Sequence, residues 1–310
     1  TQTNIANDIK LESRDTSYGA IERLSFWDDR IFLIGGVRHD RIRSTTASIV
    51  SNMPVSPSRA NDDVTTYSAS ALAKVYKGPL GEAAVFVNNN ETFIPVTTID
   101  RRLATYGQRY PNRIATNDEF GVKLDLWESR IVTTLSVFKT TETNVLVTEN
   151  DETGAITGIP STYYQTPIGT RTTKGWEIDL NIVPYPGWEL ILAYSDVDPR
   201  LENGNYAQKI AFHTFTAAAR YEFTKGWAKG LSAMWQYNEW GRSALSSRSY
   251  WIIPGGDLHT AILSYNYGRW TFRARVENVF DKRSVYPSTN ETALDITRDR
   301  NYRFGVTYAF

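Results

Sequence analysis

The sequence predicts an all-β protein, an antiparallel transmembrane β-barrel wall of about thirteen strands. Three observations predict it: apolar and polar residues alternate along the late segments, short and long connections alternate between them, and aromatic residues crowd the strand ends. The clearest alternation is the last. Tyr302, Phe304, Val306, Tyr308 and Phe310 fall on one face, and Asn301, Arg303, Gly305, Thr307 and Ala309 on the other. A strand turns successive side chains to opposite sides, so this is one apolar wall and one polar wall.

In chain order the pattern places strands near 16–27, 30–43, 65–76, 82–89, 116–127, 130–139, 171–183, 187–197, 208–224, 229–240, 256–267, 269–280 and 300–310. Within 119–126, Phe120, Val122, Leu124 and Leu126 oppose Glu119, Gly121, Lys123 and Asp125. Within 176–182, Trp176, Ile178, Leu180 and Ile182 oppose Glu177, Asp179 and Asn181. Within 270–277, Trp270, Phe272, Ala274 and Val276 oppose Thr271, Arg273, Arg275 and Glu277. Turn-forming residues mark tight junctions at Asp28-Asp29, Gly78-Pro79-Leu80-Gly81, Glu128-Ser129, Pro184-Tyr185-Pro186-Gly187, Lys225-Gly226-Trp227 and Gly268-Arg269. Between them lie long connections at 43–65, 90–116, 140–170, 198–207, 241–256 and 281–299. Short periplasmic turns and long extracellular loops produce this alternation in an outer-membrane barrel.

Composition narrows the function classes. Lys+Arg and Asp+Glu both number 34 in 310 residues, so a general nucleic-acid binder, which needs a basic excess, is not expected. The absence of cysteine excludes thiolate catalysis and cysteine-held metal centres. A mean hydropathy of −0.40 suits an ordinary soluble chain, but it also suits strands with one lipid-facing and one wet side. A soluble β-sandwich would alternate too. Against it stand the strand-end aromatics Trp27, Trp127, Trp176, Trp188, Trp227, Trp240, Tyr267 and Trp270, placed as interface girdles. Close opposite charges on the polar face, Lys123/Asp125 and Arg275/Glu277, suit a wet lumen. An odd antiparallel set cannot close on itself, and an open edge in lipid is forbidden. The chain is therefore expected to be the C-terminal part of a larger barrel, one domain over 1–310.

Several motifs resemble those of TonB-dependent outer-membrane receptors, the siderophore-receptor branch above all. Val276-Glu277-Asn278-Val279-Phe280-Asp281-Lys282 and a terminal strand ending on Phe310 look like that family's last hairpin, with Val279 where Leu is commoner. Asn90-Glu91-Thr92-Phe93-Ile94-Pro95 is similar to its loop entry, Glu119-Phe120-Gly121-Val122-Lys123 to its Glu-x-Gly-x-Lys strand. Val137-Phe138-Lys139-Thr140 with Asn144-Val145, and Gly175-Trp176-Glu177, resemble two further strand signatures. The resemblance implies a barrel of 22 strands filled by a plug, of which this chain holds about thirteen and no plug. It implies import of a ferric siderophore with TonB-derived energy, the TonB complex being engaged through the missing N-terminal plug. Iron enters only as cargo and no cofactor is expected. Outer-membrane lipid surrounds the wall, and Phe310 is the signal read by the barrel-assembly machinery. Alternatives are a receptor for cobalamin or an oligosaccharide, and a passive porin-like channel.

Candidate ligand residues lie in the long connections: Tyr163, Tyr164, Trp240, Arg248, Tyr250 and Trp251 offer flat rings and a cation to an anionic chelate. Glu177, Arg273 and Arg275 are expected to face the lumen or plug. No enzyme is expected. Asp257-Leu258-His259 and His39-Asp40 have spacings a hydrolase could use, yet both lie near loop ends where polar residues are ordinary. His213 is a lumen or loop residue, and no metal site is expected.

Overall fold

A computed structural model describes residues 7–50, 53–96, 100, 102–106, 108, 110–246, 251–287 and 294–310. In chain order the strands are β1 (Asn7–Phe26), β2 (Ile31–Val50), β3 (Met53–Gly78), β4 (Gly81–Ile94), β5 (Arg113–Leu126), β6 (Ile131–Thr143), β7 (Leu146–Asp151), β8 (Thr162–Pro167), β9 (Arg171–Ile182) and β10 (Trp188–Leu201). They continue as β11 (His213–Glu222), β12 (Leu231–Trp240), β13 (Ser243–Ala244), β14 (Ile252–Ile253), β15 (Gly256–Tyr267), β16 (Trp270–Glu277), β17 (Val285–Pro287), β18 (Leu294–Ile296) and β19 (Asn301–Tyr308). One 3-10 turn, Leu103–Thr105, is the only helical element among the described residues.

Thirteen strands form one sheet in the order β1-β2-β3-β4-β5-β6-β9-β10-β11-β12-β15-β16-β19. Chain order and sheet order agree throughout, as an up-and-down antiparallel meander requires. The other six strands pair as three small hairpins, β7-β8, β13-β14 and β17-β18. Each lies in a connection that the sequence marks as long. Contacts divide the chain into two compact units, Thr1–Ala71 with Asn88–Asn117 and Thr141–Thr170, and Leu72–Val87 with Asp118–Thr140 and Arg171–Phe310.

One expectation is corrected. The connection expected over 43–65 is mostly strand, because β2 runs on to Val50 and β3 begins at Met53. Here Ser44, Thr45, Thr46 and Ser48 meet Ser13, Glu12, Leu11 and Ile9 in continuous antiparallel register. The sequence of this stretch lacks apolar–polar alternation, while backbone pairing continues.

In the second unit the register carries the alternation through to three dimensions. Phe272 pairs with Tyr265 and Val306, Ala274 with Leu263 and Phe304, and Val276 with Ala261 and Tyr302, which lines up one apolar wall. These side chains are not a core: Phe304 is 81% exposed, Val306 62% and Tyr302 57%. The largest fully buried side chains are Thr260, Pro199 and Ser136. A water-soluble sandwich buries its large apolar residues, whereas a lipid-facing barrel wall leaves such a row of them exposed.

Candidate functional site

The wall opposite the apolar one is polar and cross-linked. Ser136 Oγ donates to Glu177 Oε1 at 3.4 Å, and Ser195 Oγ lies 2.9 Å from Thr214 Oγ1. Asn238 Oδ1 accepts from Thr216 Oγ1 and Gln236 Nε2, each at 3.1 Å. Arg273 Nε donates to Ser264 Oγ at 3.4 Å. Arg275 and Arg303 are direct cross-strand partners, and Glu277 lies between their charges, 2.8 Å from Arg275 Nη2 and 3.5 Å from Arg303 Nη2. Glu177, Arg273 and Arg275 thus each lie beside polar partners.

Two of the family-like motifs acquire a physical reason there. A Cβ on Gly175 would meet Val197 Cγ1 at 2.9 Å and the Phe138 ring at 3.0 Å, and Phe86 covers Gly121 in the same manner. Lys123 Nζ stands 5.0 Å from the Phe86 ring centroid. The glycines of Glu-x-Gly-x-Lys and Gly-aromatic-Glu are thus seats for aromatic rings from a neighbouring strand.

In the first unit the connections around the β7-β8 hairpin are organised by two buried carboxylates. Asp100 accepts a fork from Arg102, with Nε 3.0 Å from each of its oxygens, together with the Thr105 hydroxyl at 2.5 Å. The Arg102 guanidinium holds its carboxyl well below the usual carboxylate range. Asp151, at the end of β7, accepts from the backbone N–H groups of Gly154, Ile156 and Thr157 at 2.9, 2.9 and 2.7 Å. Leu103 N donates to Ile156 O at 2.8 Å, and the Tyr110 hydroxyl donates to Gln165 O at 2.5 Å, which ties the two connections together. Tyr164 is buried within them and donates its hydroxyl to Glu149 Oε2 at 2.5 Å, whereas Tyr163 is 59% exposed. Of this pair only Tyr163 leaves its ring exposed.

In the second unit, Trp240 Nε1 donates to Val285 O at 3.4 Å, and Trp251 is exposed beside the β13-β14 hairpin. Arg248 and Tyr250 lie outside the described residues. The final connection is fixed by Asn278, buried and left-handed at φ 53. Its amide donates to Lys282 O and Arg298 O, both at 2.9 Å, and its Oδ1 accepts from Lys282 N at 3.0 Å. Asp281 Oδ1 accepts from Arg300 N at 2.8 Å. The Asn-Val-Phe-Asp-Lys run is thus a set of loop clamps, a role its spelling alone did not disclose.

The pleat separates His39 from Asp40, as it does any two successive residues. His39 pairs with Thr65 at 2.9 Å and Asp63 at 3.6 Å, while Asp40 is forked by Arg38. His259 Nε2 is 3.6 Å from Asp257 and packs against the rings of Tyr237 and Phe280, each at 4.8 Å. His213 lies 3.6 Å from Glu239. Among the described residues no group of three or more His, Asp or Glu could hold a metal ion.

A family model described as TonB dependent receptor-like, beta-barrel, matches residues 3–279. The metal-pseudopaline receptor CntO of Pseudomonas aeruginosa is 25% identical over 280 residues, covering 88% of this chain and 38% of that protein. Among solved structures, the siderophore receptor PiuA from Acinetobacter baumannii superposes with a TM-score of 0.76 at 17% identity, over 97% of this chain and 44% of that one. The closed form of the ferric-catecholate import receptor Fiu from K12 E. coli gives 0.73 at 17% identity, over 97% and 45%. The chain spans less than half the length of each of these proteins.

Proposed function

The chain belongs to the TonB-dependent receptor β-barrel family, and on that premise we propose that it forms the C-terminal part of the barrel of an outer-membrane receptor that binds a ferric siderophore and imports it. The observation that carries the reading is the two-walled sheet: one side exposes Tyr302, Phe304 and Val306, and the other carries the Glu277–Arg275–Arg303 network. Lipid covers the first wall, and a plug supplied by the rest of the protein meets the second at Glu177, Arg273 and Arg275. Cargo lands on the long connections and the adjoining strand ends, where Tyr163, Trp240, Tyr250 and Trp251 offer aromatic rings and Arg248 a cation. The plug then rearranges under force from the TonB complex, and no bond of the cargo is made or broken. Phe310, fully exposed two residues beyond β19, is the residue the barrel-assembly machinery reads. Iron is cargo here, and no resident cofactor is required.

A second reading has one specific support. The relative at 25% identity is described as a receptor for a metal–pseudopaline chelate, which widens the cargo to chelates of metals other than iron. Uptake of radiolabelled metal chelates by cells carrying the full-length receptor tests both. TonB-dependent uptake of a ferric chelate is expected. Uptake of another metal's chelate alone supports the second reading, and uptake of neither, with cobalamin or an oligosaccharide taken up instead, overturns both.

A further inference from the structure

The turns joining β1 to β2 and β5 to β6 are near copies of one another. They read Phe26-Trp27-Asp28-Asp29-Arg30-Ile31 and Leu126-Trp127-Glu128-Ser129-Arg130-Ile131. In each, three successive residues other than glycine take left-handed backbone angles. The φ values are 52, 52 and 58° at Trp27, Asp28 and Asp29, and 54, 58 and 61° at Trp127, Glu128 and Ser129. Left-handed backbone costs an L residue roughly 1–2 kcal/mol, and glycine would remove most of that cost. Other tight turns of this chain do use glycine, with φ 89° at Gly187, 75° at Gly226 and 57° at Gly268. Side chains retained against their backbone preference indicate that the side chains themselves are needed.

Their chemistry is the same in both copies: an exposed tryptophan, an exposed carboxylate and an exposed arginine. Among the described residues no hydrogen bond or ion pair holds the Glu128 or Arg130 side chain. Beside the second turn is a cleft of about 580 Å³, lined by the apolar Pro79, Ile131 and Val183 together with Trp127, Glu128 and Arg130. We infer that this cleft is a binding site for a zwitterionic aminophospholipid of the leaflet that the short turns face, an assignment that rests on the transmembrane orientation proposed above. Arg130 pairs with the phosphate, whose planar pairs of oxygens suit a guanidinium fork. Glu128 accepts hydrogen bonds from the ammonium group. Trp127 covers the ester region, the level at which tryptophan partitions in a bilayer, and Pro79, Ile131 and Val183 take the first part of an acyl chain. An anionic headgroup would meet Glu128 unfavourably, and a trimethylammonium headgroup has no N–H to donate to it.

The test uses the full-length receptor, delipidated in detergent and re-exposed to phosphatidylethanolamine, phosphatidylcholine or phosphatidylglycerol, with bound lipid counted by native mass spectrometry. Retention of phosphatidylethanolamine about tenfold above the other two is expected, the worth of one charge-assisted hydrogen bond. Arg130→Gln should lower retention of all three lipids. Glu128→Gln should leave total retention and remove the preference. Equal retention of the three by the wild type, or a preference unchanged in both variants, overturns the proposal. Heat-modifiable migration of each variant from outer-membrane fractions reports barrel assembly separately. A receptor that assembles there without lipid preference refutes the site alone, whereas one absent from the outer membrane refutes the orientation on which it rests.

Discussion

The ring of Phe86 fills the space above Gly121, so that a Cβ added there would lie 2.5 Å from Phe86 Cζ and 2.6 Å from the carbonyl oxygen of Leu135. One contact is a side chain that can turn, and the other is backbone that cannot. Gly121→Ala should therefore destabilise the assembled receptor by about 1–3 kcal/mol, the usual cost of overpacking. Adding Phe86→Ala should return part of that loss. The denaturant midpoint of the full-length receptor in micelles reads both, and strictly additive effects would show that ring and glycine are not coupled.

The Asp100 clamp predicts a pH dependence with a definite sign. Its folded carboxyl titrates below the unfolded value near 3.8, first because of the Arg102 hydrogen bonds and also through the Thr105 hydroxyl. A depressed folded value stabilises the loop fully above the unfolded pKa and loses that contribution as pH falls through the folded one. Pepsin should therefore cut the 100–110 connection of the wild type in outer-membrane vesicles well below pH 3.8 and spare it at about pH 4. Asp100→Asn should be cut already at about pH 4. Identical digestion of the two proteins at both pH values would show that the clamp does not hold the loop.

Alternation was legible in the sequence wherever the two faces meet different solvents, so β9, β12, β15, β16 and β19 fall within a few residues of their expected bounds. It fails for the distal parts of β1, β2 and β3, where polar residues such as Ser13, Arg14, Arg43 and Ser44 follow one another on both faces while the backbone pairing continues. The polar wall was legible for the same reason that the apolar one was. The candidate ligand residues were less so, because the sequence cannot say which ring of Tyr163-Tyr164 turns inward. That choice is made by Glu149, directly across the β7-β8 ladder from Tyr164. The clamps at Asp100, Asp151 and Asn278 were missed outright, although the Asp-x-x-Gly spacing of Asp151 and Gly154 is an available signal of a carboxylate-capped loop.

Glu277 separates two guanidinium groups that the register would otherwise set face to face. The members of this network are partly exposed, so the pair energies are small, below about 1 kcal/mol each. Like charges directly opposite on a sheet repel by a comparable amount. Glu277→Gln should lower the denaturant midpoint at low salt, and the deficit should shrink at high salt as the repulsion is screened. A deficit independent of salt would assign the loss to packing.

The pair Tyr163 and Tyr164 separates cargo contact from loop architecture. Tyr163→Ala removes an exposed ring and should weaken chelate binding by about tenfold or less while leaving protease resistance of the loop unchanged. Tyr164→Phe removes the hydroxyl that donates to Glu149 and should loosen the β7-β8 hairpin, read as faster proteolysis at 152–161 on intact cells. The reverse pattern would exchange the two roles.

The strongest test of the membrane-facing wall is a pair of neighbours in β19. Phe304 and Gly305 are adjacent in sequence, yet the pleat sends them to opposite sides: Phe304 lies opposite Ala274 on the apolar wall, and Gly305 lies opposite Arg273 on the polar one. An arginine forced among acyl chains loses its hydration and finds no partner, at a cost of about 2–4 kcal/mol near the bilayer midplane and less toward either interface. At position 305 the same side chain stays in a wet, charge-bearing environment, where no Cβ clash awaits it within 4 Å. Phe304→Arg should therefore cut the amount of heat-modifiable receptor recovered from the outer membrane severalfold, and Gly305→Arg, which meets only the repulsion of the opposed Arg273, below about 1 kcal/mol, should leave it near the wild-type level. If the two substitutions were tolerated equally, the alternation in β19 would not separate hydrocarbon from water.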